Sequence, residues 1–325
     1  MFRSKRFAGL FLIPIGVLAA IAVWPGFERA HPQSRSTDRE EALTDYYWAA
    51  PLTGWTLEKL QARIPALIGL AGDSGQSSLP QILGRVAENV EVFRVNFANT
   101  TSLETLEQER LKPNGSRRGR LIREQFRYLI LTNPGNEVAL REYRTDLEGR
   151  EQTRKDPKPG FVKTSGFASM PMELSSDRQH QYDFKYLGSQ TVDGRPTKVI
   201  AFAGHPVAAA ISGEYVLAGK PIPIILQGIA WIGAATYQVT RMQTELLAPL
   251  SFAGLSRLST SAVFGEVHFR QSAAVLWLPQ VVDVTADFFG ETFHNRHRYS
   301  DYQLFSVGTD QKTQFITKPP MSVVP

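Results

Sequence analysis

Residues 262–307, AVFGEVHFRQSAAVLWLPQVVDVTADFFGETFHNRHRYSDYQLFSV, alternate apolar and polar side chains through four successive segments joined by short turns. Period two is the geometry of a strand, whose neighbouring side chains point to opposite faces. In segment 262–270, Val263, Val267 and Phe269 share one parity and Phe264, Glu266 and His268 the other. Segment 275–288 follows; Pro279 within it has no N–H to donate, so it marks an edge, a bulge or a break. Gly290 and Glu291 turn the chain into segment 292–299, and residues 301–307 continue it or bend into a last strand. Turns this short join only antiparallel neighbours, because a parallel return needs about a dozen residues of crossover. The run predicts an antiparallel meander. The fold class expected is α+β, a large curved antiparallel β-sheet (a half-barrel) with N-terminal helices packed on one face or end of it.

The chain upstream extends or covers that sheet. Thr56 is placed to cap a helix in which Leu57, Leu60, Ile64, Leu67 and Ile68 share a face, with Pro65 kinking it. After a Gly/Ser break at 72–78, Leu79, Ile82, Leu83, Val86, Val90, Phe93 and Phe97 recur at three and four, a second helical stripe. From Thr100 the period becomes two, predicting strands over 101–110, 121–132 and 138–146, the last two facing across Asn133-Pro134-Gly135-Asn136. Residues 156–172 are Pro/Gly-rich and irregular, and 204–219 are Ala/Gly-rich without a clear period. Segments 183–191 and 196–203 flank Asp193-Gly194, a strong hairpin signal. Segments 222–232 and 236–247 form a further pair. This divides the chain into a leader (1–30), a polar linker (31–55), a single domain (56–318) and a tail (319–325).

Arg3, Lys5 and Arg6 precede an uncharged stretch from Phe7 to Trp24, the pattern of a signal peptide or a single N-terminal membrane anchor. Ala20-Ile21-Ala22 is a small-x-small cleavage site. Either outcome exports the rest of the chain, to the periplasm or cell envelope, with an inner-membrane tether if the segment stays. Those three cations belong to a formal net charge of +5, so a processed chain carries only +2. The basic balance is therefore mostly a targeting signature, and no nucleic-acid partner is expected. Tyr46, Tyr47, Trp48 and Trp55 follow the linker and are expected to dock on the domain, the other reading being an interfacial belt. Zero cysteines exclude disulfides, a thiolate nucleophile, Cys-based metal sites and anchoring through a lipidated N-terminal cysteine.

The chemical motifs are weak. Gly213 to Lys220 resembles a phosphate loop but is one residue too long, and Pro221 stands where the Ser/Thr belongs. His294 and His297 are three apart and would point to opposite strand faces, so with His268 they read as surface histidines, not a metal set. Asp283 and Asp287 share a face but lie about 13 Å apart, too far for a glycosidase pair. No G-x-S-x-G elbow is present. The basic run Arg117, Arg118, Arg120 and Arg123 reads as a solvated turn, with lipid headgroups or an acidic partner as the alternative. Asn99 and Asn114 head formal glycosylation sequons, meaningful only on a eukaryotic secretory route. No catalytic residue, metal or cofactor is expected.

What stands out is apolar bulk on both strand parities. Phe126, Tyr128 and Ile130 oppose Leu129 and Leu131; Val282, Val284, Ala286 and Phe288 oppose Asp283, Thr285 and Asp287. Trp231, Tyr237, Met242, Phe264 and Trp277 add large side chains. Helices then cover one side, and the other is either covered or open to a hydrophobic ligand. If it is open, the candidate lining is Phe126, Tyr128, Ile130, Trp231, Tyr237, Met242, Phe264, Trp277 and Phe288.

The strand rhythm resembles the outer-membrane lipoprotein carrier superfamily, the LolA/LolB-like half-barrels. It is carried by YLGSQTVDGRP from Tyr186, GIAWIGAATYQVTRM from Gly228, FGEVHF from Phe264, WLP from Trp277 and RYSDYQLF from Arg298, within residues 100–307. The resemblance implies a curved sheet with helices in its concavity and the binding of acyl chains or lipoproteins. The chain departs from it in length, in its two extra N-terminal helices and in lacking the lipid-anchoring cysteine of some members. The function expected is that of a non-catalytic envelope protein binding a lipid, acyl chain or lipidated partner. The alternatives are an interaction or sensing module with a filled cavity, and a hydrolase with a spatially assembled site.

Overall fold

A computed structural model of the protein describes residues 44–97, 99–132, 140–150, 166–206, 212–217, 220–269, 273, 275–307 and 313–314. The leader, most of the linker, the Asn133–Asn136 turn and the tail lie outside the described residues. Among the described residues no helix is long and apolar enough to cross a membrane.

Thr56 caps α1 (Leu57–Arg63), its Oγ1 accepting the Lys59 N–H at 3.3 Å. Pro65, at the first position of a 3₁₀ turn, prevents the helix from continuing. A two-residue strand β1 (Ala71–Gly72) leads to α2 (Leu79–Asn96), as the stripe at three and four predicts. Then come β2 (Thr100–Leu111), β3 (Arg117–Thr132) and β4 (Leu140–Thr145). After a 3₁₀ segment, Met170–Leu174, β5 (Tyr182–Val192) and β6 (Arg195–Gly204) form the hairpin marked by Asp193-Gly194. Its two turn residues have φ of 48° and 74°, the left-handed pair that matches the twist of the flanking strands.

Strands β7 (Gly213–Leu217) and β8 (Lys220–Ile224) pair with each other in a separate ribbon, so the single strand expected over 222–232 is two elements. Residue 225 separates them, and β9 (Leu226–Gly233) enters the main sheet. Then follow β10 (Val239–Leu246), β11 (Leu255–His268), β12 (Val275–Phe288) and β13 (Glu291–Leu304). The predicted meander is β11-β12-β13, antiparallel throughout. Pro279 sits beside a register shift between Val263 and Phe264, past the point where β13 stops pairing with β12, so its missing N–H costs no ladder bond on that side. Two short strands, β14 (Ser306–Val307) and β15 (Thr313–Gln314), pair beyond it.

Eleven strands form one open antiparallel sheet in the order β1-β5-β6-β9-β10-β11-β12-β13-β2-β3-β4. Tyr186 near one edge and Leu140 at the other belong to one apolar cluster, because the sheet bends around a cover made of α2, segment 166–174 and the β7–β8 ribbon. Ile82, Val86 and Val90 of α2 pack there with Ile200, Phe202, Ala230 and Ile232. A second cluster lies on the convex side, where Leu52, Leu60, Leu67 and Leu70 cover Val199, Ala201, Ile229 and Trp231. The two helices therefore lie on opposite faces, not on one as expected. The reason is in β5, β6 and β9: residues 199–203 are buried on both parities, so this part of the sheet needs a layer on each side.

Candidate functional site

The cover meets the sheet along a seam that opens to a small cleft beside residues 86–93 of α2. Val86, Asn89, Val90 and Phe93 of α2 form one wall of this cleft, and Ala168, Pro171 and Met172 a second. Tyr237, Gln238, Val239 and Trp277 of the sheet side close it. Its free volume is about 20 Å³, space for a single water. Asn89 Nδ2 donates to Thr236 O at 2.8 Å and ties α2 to the turn before β10. Tyr237 holds φ at 55°, a left-handed conformation costly for a side chain of this size, stabilised by its N–H bond to Gly233 O at 2.8 Å. The Arg85 guanidinium lies 5.7 Å and Lys198 Nζ 5.9 Å from the Tyr237 ring centre.

Of the nine candidate lining residues, only Tyr237 and Trp277 reach this cleft. Tyr128, Ile130, Met242, Phe264 and Phe288 are on the concave face but are core, in contact with the chain's own cover or with one another. Phe126 is buried on the same parity of β3. Trp231 is fully buried on the convex face under residues 52–70, donating from Nε1 to Gln190 Oε1 at 2.9 Å. Its neighbours Ala230 and Ile232 take the concave parity, which leaves Trp231 the other. The other nine cleft residues, from Val86 on α2 to Val239 on β10, are those that sequence reading missed; the α2 stripe contains three of them, Val86, Val90 and Phe93, but gives no sign that they border a cleft.

Deeper under the cover lies a charged network that alternation along β2, β4 and β13 does not reveal. Glu104 is fully buried and forms an ion pair with Arg144, one contact of which is 2.8 Å. It also meets His297 Nδ1 at 2.7 Å and accepts from Tyr299 OH at 2.9 Å. Burial alone would raise the Glu104 carboxyl, but the Arg144 charge, with His297, holds it well below the usual carboxylate range. His297 is pushed the other way, its burial and the nearby Arg144 charge keeping the imidazole neutral against the pull of Glu104. His297 is thus a core residue, not the surface histidine expected.

Next to this network, Glu142 gathers the cover onto the sheet. Its carboxylate accepts the backbone N–H groups of Gly166, Phe167, Ala168 and Ser169 at 2.7, 2.9, 3.1 and 3.2 Å, and the Tyr128 hydroxyl as well. Phe167 then packs against His297, with ring centres 4.9 Å apart and planes inclined by 57°. A carboxylate–imidazole pair is two of the three members of a hydrolytic triad, but here both members are sealed from solvent and fixed by a guanidinium and a phenol.

The convex face of β2, β3, β12 and β13 carries a separate set of charged side chains. His294 bridges Glu109 at 3.0 Å and Asp283 at 3.2 Å, and its pKa is raised, chiefly by the bond to Asp283. Asp283 also takes a two-pronged contact from Arg296; burial raises its pKa, but His294 and Arg296 outweigh that and bring it to about 2. Arg117 pairs with Glu109, Arg123 and Arg298 with Glu107, and Arg118 with Glu291, so the basic run near the β2–β3 turn is largely ion-paired. Among the described residues no group of three His, Asp or Glu side chains is placed to hold a metal ion.

No family model matches the sequence, and a search of curated proteins gives no match. The chain is similar in structure to a domain described as an outer membrane lipoprotein-sorting protein from Vibrio parahaemolyticus, with 10% identity, TM-score 0.37 and coverage of 68% of this chain and 91% of that one. It is similar to a DUF1329 family protein from Desulfovibrio piger, with 13% identity, TM-score 0.36 and coverage of 69% and 92%. It is also similar to the Mycobacterium tuberculosis lipoprotein LppX, with 9% identity, TM-score 0.26 and coverage of 71% and 99%.

Proposed function

We propose that the protein is a non-catalytic, exported envelope protein that takes a lipid, an acyl chain or a lipidated partner between the concave face of its sheet and the cover. The observation that supports this is the seam at Tyr237 and Trp277, lined by apolar side chains except for Asn89 and Gln238. Its present volume admits no chain, so a ligand enters by parting α2 and Met172 from the sheet side. Methionine is unbranched and repacks readily, which suits that movement; the Asn89 bond to Thr236 O, which ties α2 to the adjoining turn, is what has to break. Export rests on Arg3, Lys5 and Arg6 followed by the uncharged stretch to Trp24.

The test is lipid extraction and mass spectrometry of the purified full chain, followed by binding of a fluorescent fatty acid. We expect bound acyl chains and saturable binding, both removed by Met172→Trp, which fills the cleft. Lipid-free protein that ignores the probe would sink the reading. N-terminal sequencing of the mature chain, recovered from the envelope fraction, tests export; recovery in the cytosol would refute it. A second reading, an envelope interaction module, is favoured by one specific observation: the concave face is filled by the chain's own residues. It gains if the same protein binds no lipid yet is retained by another envelope component.

A further inference from the structure

The rim of the cleft carries more positive charge than an apolar chain alone calls for. We infer that the preferred ligand is an anionic single-chain amphiphile, its chain in the seam and its carboxylate or phosphate headgroup between Arg85 and Lys198. This rests on the cleft being the ligand site, as proposed above.

Three observations carry it. Arg85 on α2 and Lys198 on β6 come from the two walls that the cleft separates, yet both stand within 6 Å of the Tyr237 ring, at 5.7 and 5.9 Å. Lys198 pairs with Ile232, whose side chain is concave, so Lys198 faces the same side as the cleft. Tyr237 keeps its strained φ of 55° and so sits at the seam, between the apolar lining and the two cations. The charge opposing them at the rim is Glu88, which meets Arg85 at 3.0 Å with side chains 58% and 63% exposed. An exposed pair of this kind contributes little and exchanges readily. A headgroup bound by a guanidinium and an ammonium together gains charge-assisted hydrogen bonds that Glu88 alone does not give them. An amide-linked acyl chain on a lipidated protein offers no such charge, so this narrows the ligand to a free fatty acid or an alkyl phosphate.

The experiment compares dodecanoate, dodecyl phosphate and dodecanol by isothermal titration of the full chain, wild type and R85Q/K198Q. We expect either anion to bind about tenfold more tightly than the alcohol, the magnitude of two partly exposed charge contacts. The preference shrinks as salt rises. The double variant equalises the three probes and leaves dodecanol affinity unchanged, which also shows that it is folded. If one anion alone is preferred, the headgroup is thereby identified as carboxylate or phosphate. Equal affinities in the wild type, or a preference that survives R85Q/K198Q, overturns the inference and leaves the cleft itself intact. Failure of all three to bind overturns both the inference and the cleft as ligand site.

Discussion

His294 and His297 are separated by two residues on one strand and are driven in opposite directions. His294 lies between two carboxylates and its folded pKa is raised, so it stabilises the fold fully below the ordinary value of about 6.5; that contribution is lost as pH rises through the folded value. His297 is buried beside Arg144 and its folded pKa is lowered. Below about pH 6.5 the unfolded chain binds a proton that the native state refuses, so stability falls with pH until the native imidazole protonates. Urea midpoints measured from about pH 5 to 8 should therefore move oppositely in two variants. His297→Gln flattens the acid side of the profile, and His294→Gln flattens the neutral side. Equal profiles would refute the assignment. Glu142 gives a further residue-scale expectation: Glu142→Ala leaves four backbone donors without their acceptor and should cost about 2–4 kcal/mol in chemical denaturation.

At the scale of elements, the strands were legible because period two repeats wherever one face is wet. Segment 275–288 was read residue for residue, and the Asp193-Gly194 hairpin followed from its turn chemistry. Position in the layers was less legible. The runs KVIAFAG and GIAWIGA are apolar on both parities, and the structure puts a layer on each side of them, but nothing local says which helix goes where. The cleft was legible only at Tyr237 and Trp277, whose bulk is visible in sequence; Arg85 and Lys198 meet there from elements more than a hundred residues apart. The partnership of Glu104 with Arg144 and His297 is equally non-local, since the three come from β2, β4 and β13. Close approach of elements gives a sharper test. A Cβ at Gly228 would lie 2.0 Å from Gln243 O and 2.8 Å from the Phe202 ring. Gly228→Ala should therefore force β9 and β10 apart and cost about 3 kcal/mol or more. Gly194→Ala, in an open turn at φ 74°, should cost only about 1 kcal/mol.

For the whole molecule, charge is divided by face. The convex side of β2, β3, β12 and β13 is a lattice of exposed ion pairs, while under the cover Glu104 is sealed with Arg144 and His297, and Glu173 with Tyr182 and Arg178. Removing a carboxylate from the lattice and from the network should thus give very different results. Glu107→Gln should change stability by less than about 1 kcal/mol, and less still in high salt. Glu104→Gln, which leaves Arg144 buried without its counter-charge, should cost about 3–5 kcal/mol whatever the salt. Thermal melts at low and high ionic strength distinguish the two; a salt-sensitive Glu104→Gln would mean that water reaches the network.

The filled hollow has a consequence for how cargo would leave. A receptor that empties into water must expose the greasy wall it has just uncovered, and that exposure opposes release. Here Met172, Phe93 and Val90 already occupy the wall when nothing else does. If the cleft is the ligand site proposed above, departure then swaps one apolar neighbour for another, and a tight grip is compatible with easy delivery.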